Sequence, residues 1–239
     1  MSRPKTMTGT LYGVGVGPGD PDLITLKAYN LLQSVPVIAY PAPAVGDSLA
    51  RQIAAPHIPN GRREIMIRVS MAPKDALDRS AYDRAAVEIG DILRAGQDVA
   101  VICEGDPFFY GSFMYLFNRL EEEFPIQIIP GISSLMACPA AALTPLASRN
   151  EVLSILPAPL AEEDLRLRLS QGDAVAIIKL GRHAEKICTI LRDMGLMAGA
   201  KYVAHATMPN QIVGNLADID PADIPYFAMI LVRRNEVAG

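Results

Sequence analysis

Residues Leu11 to Asp22 read LYGVGVGPGDPD, and no other stretch constrains the fold as tightly. Thr10 to Val16 is short, apolar and rich in β-formers, so it reads as a strand. Gly17, Pro18 and Gly19 then force a tight turn where only small or φ-fixed residues fit. Asp20 follows as a helix N-cap with Pro21 at the first helical position, and Leu23, Ile24, Ala28, Leu31 and Leu32 supply an apolar face. Strand, glycine turn and helix in that order open an α/β domain. The loop is not a dinucleotide fingerprint. Counted from Gly13 and Gly15 the third glycine position is Pro18, and counted from Gly15 and Gly17 it is Asp20. Two roles stay open to it: turn and cap alone, or a loop for another ligand.

The same alternation continues through the first half. Apolar runs at Val35 to Tyr40, Arg63 to Val69, Asp98 to Cys103 and Ile126 to Ile129 read as strands. Helical spacing covers Asp47 to Ala55, ended by the Pro56 to Pro59 stretch, and Tyr82 to Arg94, closed by Gly96. Two more helices are expected at Ser112 to Glu122 and at Ser133 to Ala142. That order implies a mostly parallel sheet with helices on its faces. The pattern breaks around Thr144 to Arg149. A second set of strands then falls at Val152 to Leu156, Ala174 to Lys179, Tyr202 to His205, Gln211 to Val213 and Phe227 to Val232. Helices Ala161 to Ser170 and His183 to Met194 separate them. The expected domains are 1–147 and 148–239.

Composition excludes several functions. With 239 residues, half of them apolar and a fifth charged, the chain is an ordinary globular protein able to bury a large core. No run reaches the roughly 18 apolar residues of a membrane span, and MSRPKTMTG lacks a signal-peptide core, so a cytoplasmic location and no membrane partner are expected. The net charge of −4 and the lack of basic clusters argue against nucleic acid. Cys103, Cys138 and Cys188 lie apart in apolar segments and read as core residues rather than a disulfide framework. His57, His183 and His205 have no metal spacing, and no metal is expected.

Two further loops could carry chemistry. Glu104-Gly105-Asp106-Pro107 follows the run DVAVIC, and the carboxyl end of a parallel strand is where open α/β sheets bind ligands. Two carboxylates there suit a positively charged ligand; alternatively Asp106 only caps the following turn. Pro130-Gly131-Ile132-Ser133-Ser134 ends another strand, and its small side chains let a ligand approach the backbone. No nucleophile elbow occurs and no serine or cysteine has an evident histidine partner.

The combination GVGVGPGDPDLITLKA, GQDVAVICEGDPFFYGS, PGISS and AIIKLGRH closely resembles the class III tetrapyrrole methyltransferases. The stretches AYPAPAVGDSLARQIA, EGDPFFYGSFMYL and PYFAMILV resemble the branch that methylates C20 of precorrin-2 in cobalamin synthesis. The resemblance runs from about residue 9 to residue 234. It implies two α/β domains, the first sheet mostly parallel and the second mixed, with a ligand cleft between them, and a homodimer. It implies transfer of a methyl group from S-adenosylmethionine to give precorrin-3A, leaving S-adenosylhomocysteine. Carried over by motif, the cofactor contacts are Pro18, Glu104, Gly105, Asp106, Ser133, Ser134, Leu180, Ala206, Met208, Phe227 and Ala228. A sulfonium and an ammonium without a phosphate agree with an acidic loop and with the missing third glycine.

Precorrin-2 carries eight carboxylates, so basic and amide donors are expected around it. The candidates are Tyr40 and Tyr110, each placed after a first-half strand, with Arg149, Lys179 and Arg182; Lys179, ending an apolar strand, leads them. The methyl group is already activated, so orientation supplies much of the acceleration and no catalytic base is identified. Three competing functions are weighed: the same methylation on the cobalt-loaded substrate, a nicotinamide-dependent oxidoreductase, and a tetrapyrrole carrier that leaves the cofactor unconsumed. The oxidoreductase requires an acidic residue ending the second strand, where this chain has Tyr40 and Pro41.

Overall fold

The computed structural model describes residues 8–69 and 79–233; Met1 to Met7, read above for targeting signals, lie outside them. By contact the chain divides into two compact units, Met1–Ser133 and Ser134–Gly239.

The first unit begins with strand β1 (Leu11–Gly15), a 3₁₀ turn at Pro21–Leu23 and helix α1 (Leu26–Ser34). It continues with β2 (Val37–Pro43), α2 (Leu49–Ala54), β3 (Arg63–Val69) and α3 (Arg79–Arg94). β4 (Val99–Cys103), α4 (Phe113–Leu120) and β5 (Ile126–Ile129) complete it. The sheet order is β3-β2-β4-β1-β5, and every pairing is parallel.

Every residue of β4 is buried, as a strand covered on both faces requires. Val99, Val101 and Cys103 join one core with Ile89 and Leu93 of α3 and Phe113 and Leu116 of α4. Ala100 and Ile102 turn to the other, with Ala28 and Leu32 of α1 and Ala50 and Ile53 of α2. Successive residues of a strand face opposite ways, so five residues supply both cores.

Two local expectations are corrected. Asp20 accepts a hydrogen bond from the Asp22 N–H at 2.9 Å and so caps the 3₁₀ turn, while Thr25 caps α1 through the Ala28 N–H at 3.2 Å. An Asp-Pro pair satisfies a single turn as well as a helix start, and the sequence signature is the same for both. The second strand runs three residues past Tyr40, through Pro41 and Pro43. It pairs with β4 only at Val37–Ala39, so both prolines lie where one side of β2 needs no ladder N–H.

The second unit opens with α5 (Ser134–Ala141), followed by β6 (Leu153–Pro157), α6 (Glu162–Gln171), β7 (Ala174–Ile178) and α7 (Ala184–Asp193). β8 (Lys201–Ala204), β9 (Ile212–Asn215) and β10 (Ala228–Arg233) follow. Its sheet is mixed, in the order β6-β7-β10-β8-β9; β6 and β7 are parallel and the remaining pairs antiparallel. Leu165, Leu169, Ile187 and Leu191 pack with Val175, Ile177, Tyr202 and Ile230 in one core. The contact division falls before α5, which packs on β8 and β10.

Candidate functional site

The three loops singled out by sequence end adjacent strands of the first sheet, in the order β4-β1-β5, and backbone atoms join them. The Val16 N–H donates to Cys103 O at 3.0 Å, and the Gly105 N–H donates to Gly17 O at 2.8 Å. Gly17 has φ +84°, a backbone state that glycine adopts without steric cost. A Cβ on Gly15 would stand 2.4 Å from Gly105 O and 2.6 Å from Gly131 Cα, and one on Gly131 would stand 2.1 Å from Gly105 O. Glycine at these places is therefore a packing requirement: the three strand ends approach backbone to backbone.

The acidic residues of the second loop build it. One carboxylate oxygen of Asp106 accepts the Phe108 N–H at 2.9 Å and the other accepts the Gly131 N–H at 3.1 Å. Asp106 thus braces its own loop and ties it to the loop after β5. Glu104 accepts the Ala50 N–H at 3.1 Å, near the start of α2, where Ser48 caps the helix through the Arg51 N–H at 3.3 Å. Burial pushes the Glu104 carboxyl above the usual carboxylate range, and hydrogen bonds from the Glu104 and Ala50 backbones oppose that shift.

Tyr40 lies inside β2 rather than after it. It is 5% exposed and its hydroxyl donates to Glu64 at 2.8 Å. Arg51 grips the same carboxylate with Nε at 2.8 Å and Nη2 at 2.9 Å. That grip holds Glu64 below its ordinary range, whereas burial, then Glu64, pushes the Tyr40 phenol up. Tyr110 is exposed on the loop after β4, its ring edge-on to Phe109 at 5.1 Å.

In the second unit the antiparallel β10 starts where β7 and β8 end. The His205 N–H donates to Phe227 O at 2.9 Å, and Gly181 lies against Tyr226. Lys179 to His183, His205 to Met208 and Tyr226 to Ala228 therefore share one end of this sheet. Tyr226 and Phe227 are exposed, whereas Leu180 is fully buried in the core and Ala206 nearly so; the Leu180 carbonyl accepts the His183 N–H at 2.8 Å. The Arg182 Nε donates to His183 Nε2 at 3.3 Å. Burial, with Lys186 and Arg182 adding to it, keeps the His183 imidazole below its ordinary range. Arg149 is exposed on the segment before β6.

Among the described residues six non-glycine residues hold left-handed backbones, including Tyr110 (φ 55°), Arg149 (φ 46°), Lys179 (φ 58°), His205 (φ 49°) and Thr207 (φ 70°). Such residues cost of order 1–3 kcal/mol each and gather where function over-determines the backbone. Three of these five are substrate candidates, and the other two flank Ala206. Sequence reasoning passed over His205 and Thr207, since neither is a glycine or asparagine. Among the described residues no three His, Cys, Asp or Glu side chains gather to hold a metal ion.

A family model described as Tetrapyrrole (Corrin/Porphyrin) Methylases matches residues 10–220. The chain is 38% identical over 233 residues to "Cobalamin biosynthesis protein CobIJ" of Mycobacterium tuberculosis, across 94% of this chain and 46% of that protein. It thus spans about half the length of that relative. It is 37% identical over 232 residues to "Precorrin-2 C(20)-methyltransferase" of a Sinorhizobium species, across 94% of this chain and 95% of that protein. The crystal structure of a cobalt precorrin-4 methyltransferase matches with a TM-score of 0.75 at 26% identity, across 98% of this chain and 97% of that one.

Proposed function

The chain belongs to the tetrapyrrole (corrin/porphyrin) methylase family, and on that premise we propose that it transfers the methyl group of S-adenosylmethionine to C20 of precorrin-2, giving precorrin-3A in cobalamin synthesis. The observation that carries this reading is the 37% identity to a precorrin-2 C(20)-methyltransferase, which runs through 95% of that relative's length.

The first unit's strand ends suit such a cofactor. Gly15 and Gly131 let the three strand ends close backbone to backbone, which sets the glycine and serine loops side by side at one edge of the sheet. When bound, S-adenosylmethionine supplies a methyl group already activated by its sulfonium and leaves as S-adenosylhomocysteine. In this reading Pro18 and the backbone at Gly105 border the cofactor, and Ser133 and Ser134 offer hydroxyls. Glu104 and Asp106 hold the loop in shape through the backbone N–H groups they accept. In the second unit the cofactor candidates are Ala206, Met208, Phe227, Ala228 and Leu180.

Lys179, Arg182 and Arg149 supply the positive charge that a polycarboxylate substrate requires, and Tyr110 supplies a ring and a hydroxyl. Tyr40 takes no direct part, because its hydroxyl proton is held by Glu64. The protein's contribution to rate is then orientation of an electron-rich carbon against an activated methyl group. No helix of the described residues is long and apolar enough to cross a membrane, in keeping with a cytoplasmic enzyme. We assign it as a homodimer, which light scattering of the purified protein tests.

Incubation with metal-free and with cobalt-loaded precorrin-2, each with S-adenosylmethionine, tests the reaction. Turnover of the metal-free substrate is expected. Turnover of the cobalt form alone would move the enzyme to a route in which cobalt enters first, and consumption of neither would remove the assignment.

A further inference from the structure

Arg68 is the penultimate residue of β3 and stands in register with Ala42. Its Nη1 donates to Pro43 O at 3.0 Å and to Gly46 O at 3.0 Å, and lies 3.5 Å from Ala44 O. One nitrogen thereby clasps the connection from β2 to α2. The other edge of the guanidinium, Nε with Nη2, has no partner among the described residues. Elsewhere in the same chain that edge is the one that grips carboxylates: Arg51 holds Glu64 with it, and Arg94 holds Glu123 with it at 2.6 and 2.9 Å. A planar fork of this kind matches a carboxylate bidentately.

The position of this fork is informative. It stands at the carboxyl end of the first sheet, the same edge as the loops after β1 and β4, where open α/β sheets bind ligands. The clasped connection is fixed to the second of those loops as well, because Glu104 takes the Ala50 N–H at the start of α2. Three strand intervals separate β3 from β1, about 14 Å at the usual spacing. A compact ligand at the glycine loops does not cover that distance; a macrocycle fringed with acid side chains does. The tip of the connection is apolar, with Val45 90% exposed, and offers such a ring a surface to rest on.

We infer that Arg68 binds a carboxylate of the tetrapyrrole substrate through Nε and Nη2, an inference that rests on the function proposed above. The clasp on Nη1 has already ordered a side chain with many rotamers, so the carboxylate meets a prepared fork.

Steady-state kinetics of wild type, Arg68→Lys and Arg68→Gln with precorrin-2 test it. The lysine ammonium can serve the three carbonyls but then has no fork to offer, which separates receptor from staple. Both variants are expected to raise KM for precorrin-2 by about tenfold or more, the scale of a lost charge-assisted pair, with kcat and KM for S-adenosylmethionine within about twofold of wild type. An Arg68→Lys enzyme with unchanged KM for precorrin-2 would overturn the assignment and leave Arg68 a loop staple. A wild-type enzyme that does not turn over precorrin-2 would instead overturn the proposed function, and this assignment with it.

Discussion

At the scale of single residues, the carboxylate of Asp106 takes one backbone N–H from its own loop and one from the loop after β5, so its removal is felt in both. Asp106→Ala leaves the Phe108 and Gly131 N–H groups without their acceptors, at a cost of about 1–3 kcal/mol. The expected outcome is a Tm lowered by several degrees and weaker binding of S-adenosylmethionine by calorimetry; an unchanged Tm with unchanged affinity would contradict the brace. Glu104 adds a pH dependence. Burial raises its folded-state pKa, so the folded protein holds this proton more tightly than the unfolded chain does. Its contribution is fully present below the unfolded carboxylate pKa of about 4.3 and is lost as pH rises through the folded value. Glu104→Gln keeps an oxygen for the Ala50 N–H and removes the titration. Urea unfolding at a series of pH values above that point should show wild type losing stability relative to the glutamine variant as pH rises; parallel curves would contradict this.

Among the elements, the strands were the most legible from sequence. Asp98 to Cys103 forms as its apolar run indicates, because a strand buried between helices needs little beyond such a run, and Arg63 to Val69 forms as an edge strand that buries Ile65 and Ile67 by alternation. Helix starts were less legible. Asp20-Pro21 carries the same cap chemistry as a true helix start, yet Thr25 supplies the α1 cap. Thr25→Ala is therefore expected to cost about 1 kcal/mol in chemical denaturation; an unchanged denaturation midpoint would contradict the cap. The loops of the candidate site were legible as glycine- and serine-rich strand ends, but the reason for Gly15 and Gly131 was not. Their glycines answer to contacts between β1, β4 and β5, which depend on strand order rather than on any local pattern. Arg68 escaped notice for the same reason: its partners at Pro43, Ala44 and Gly46 become neighbours only once β2 and β3 pair in register.

For the molecule as a whole, two sheets of different construction each gather candidate residues at one end. The first is parallel, so the loops that follow its strands gather at one carboxyl edge. The second is mixed, and its antiparallel β10 brings a strand start beside two strand ends. The sequence resemblance anticipated both sheets, whereas residue pattern alone reached the parallel sheet and the count of strands. The carboxylates of Glu104 and Asp106 accept backbone N–H groups that fix their loop, and two of the cations proposed for the substrate, Arg149 and Lys179, sit on left-handed backbones that no motif reveals. The proposed function is one reaction at one carbon. The most direct test is incubation of the purified protein with metal-free precorrin-2 and S-adenosylmethionine carrying a ¹³C-labelled methyl group, with the product read by NMR. One label at C20, absent without enzyme, is the predicted result; a label at any other carbon, or unreacted precorrin-2, would contradict the account.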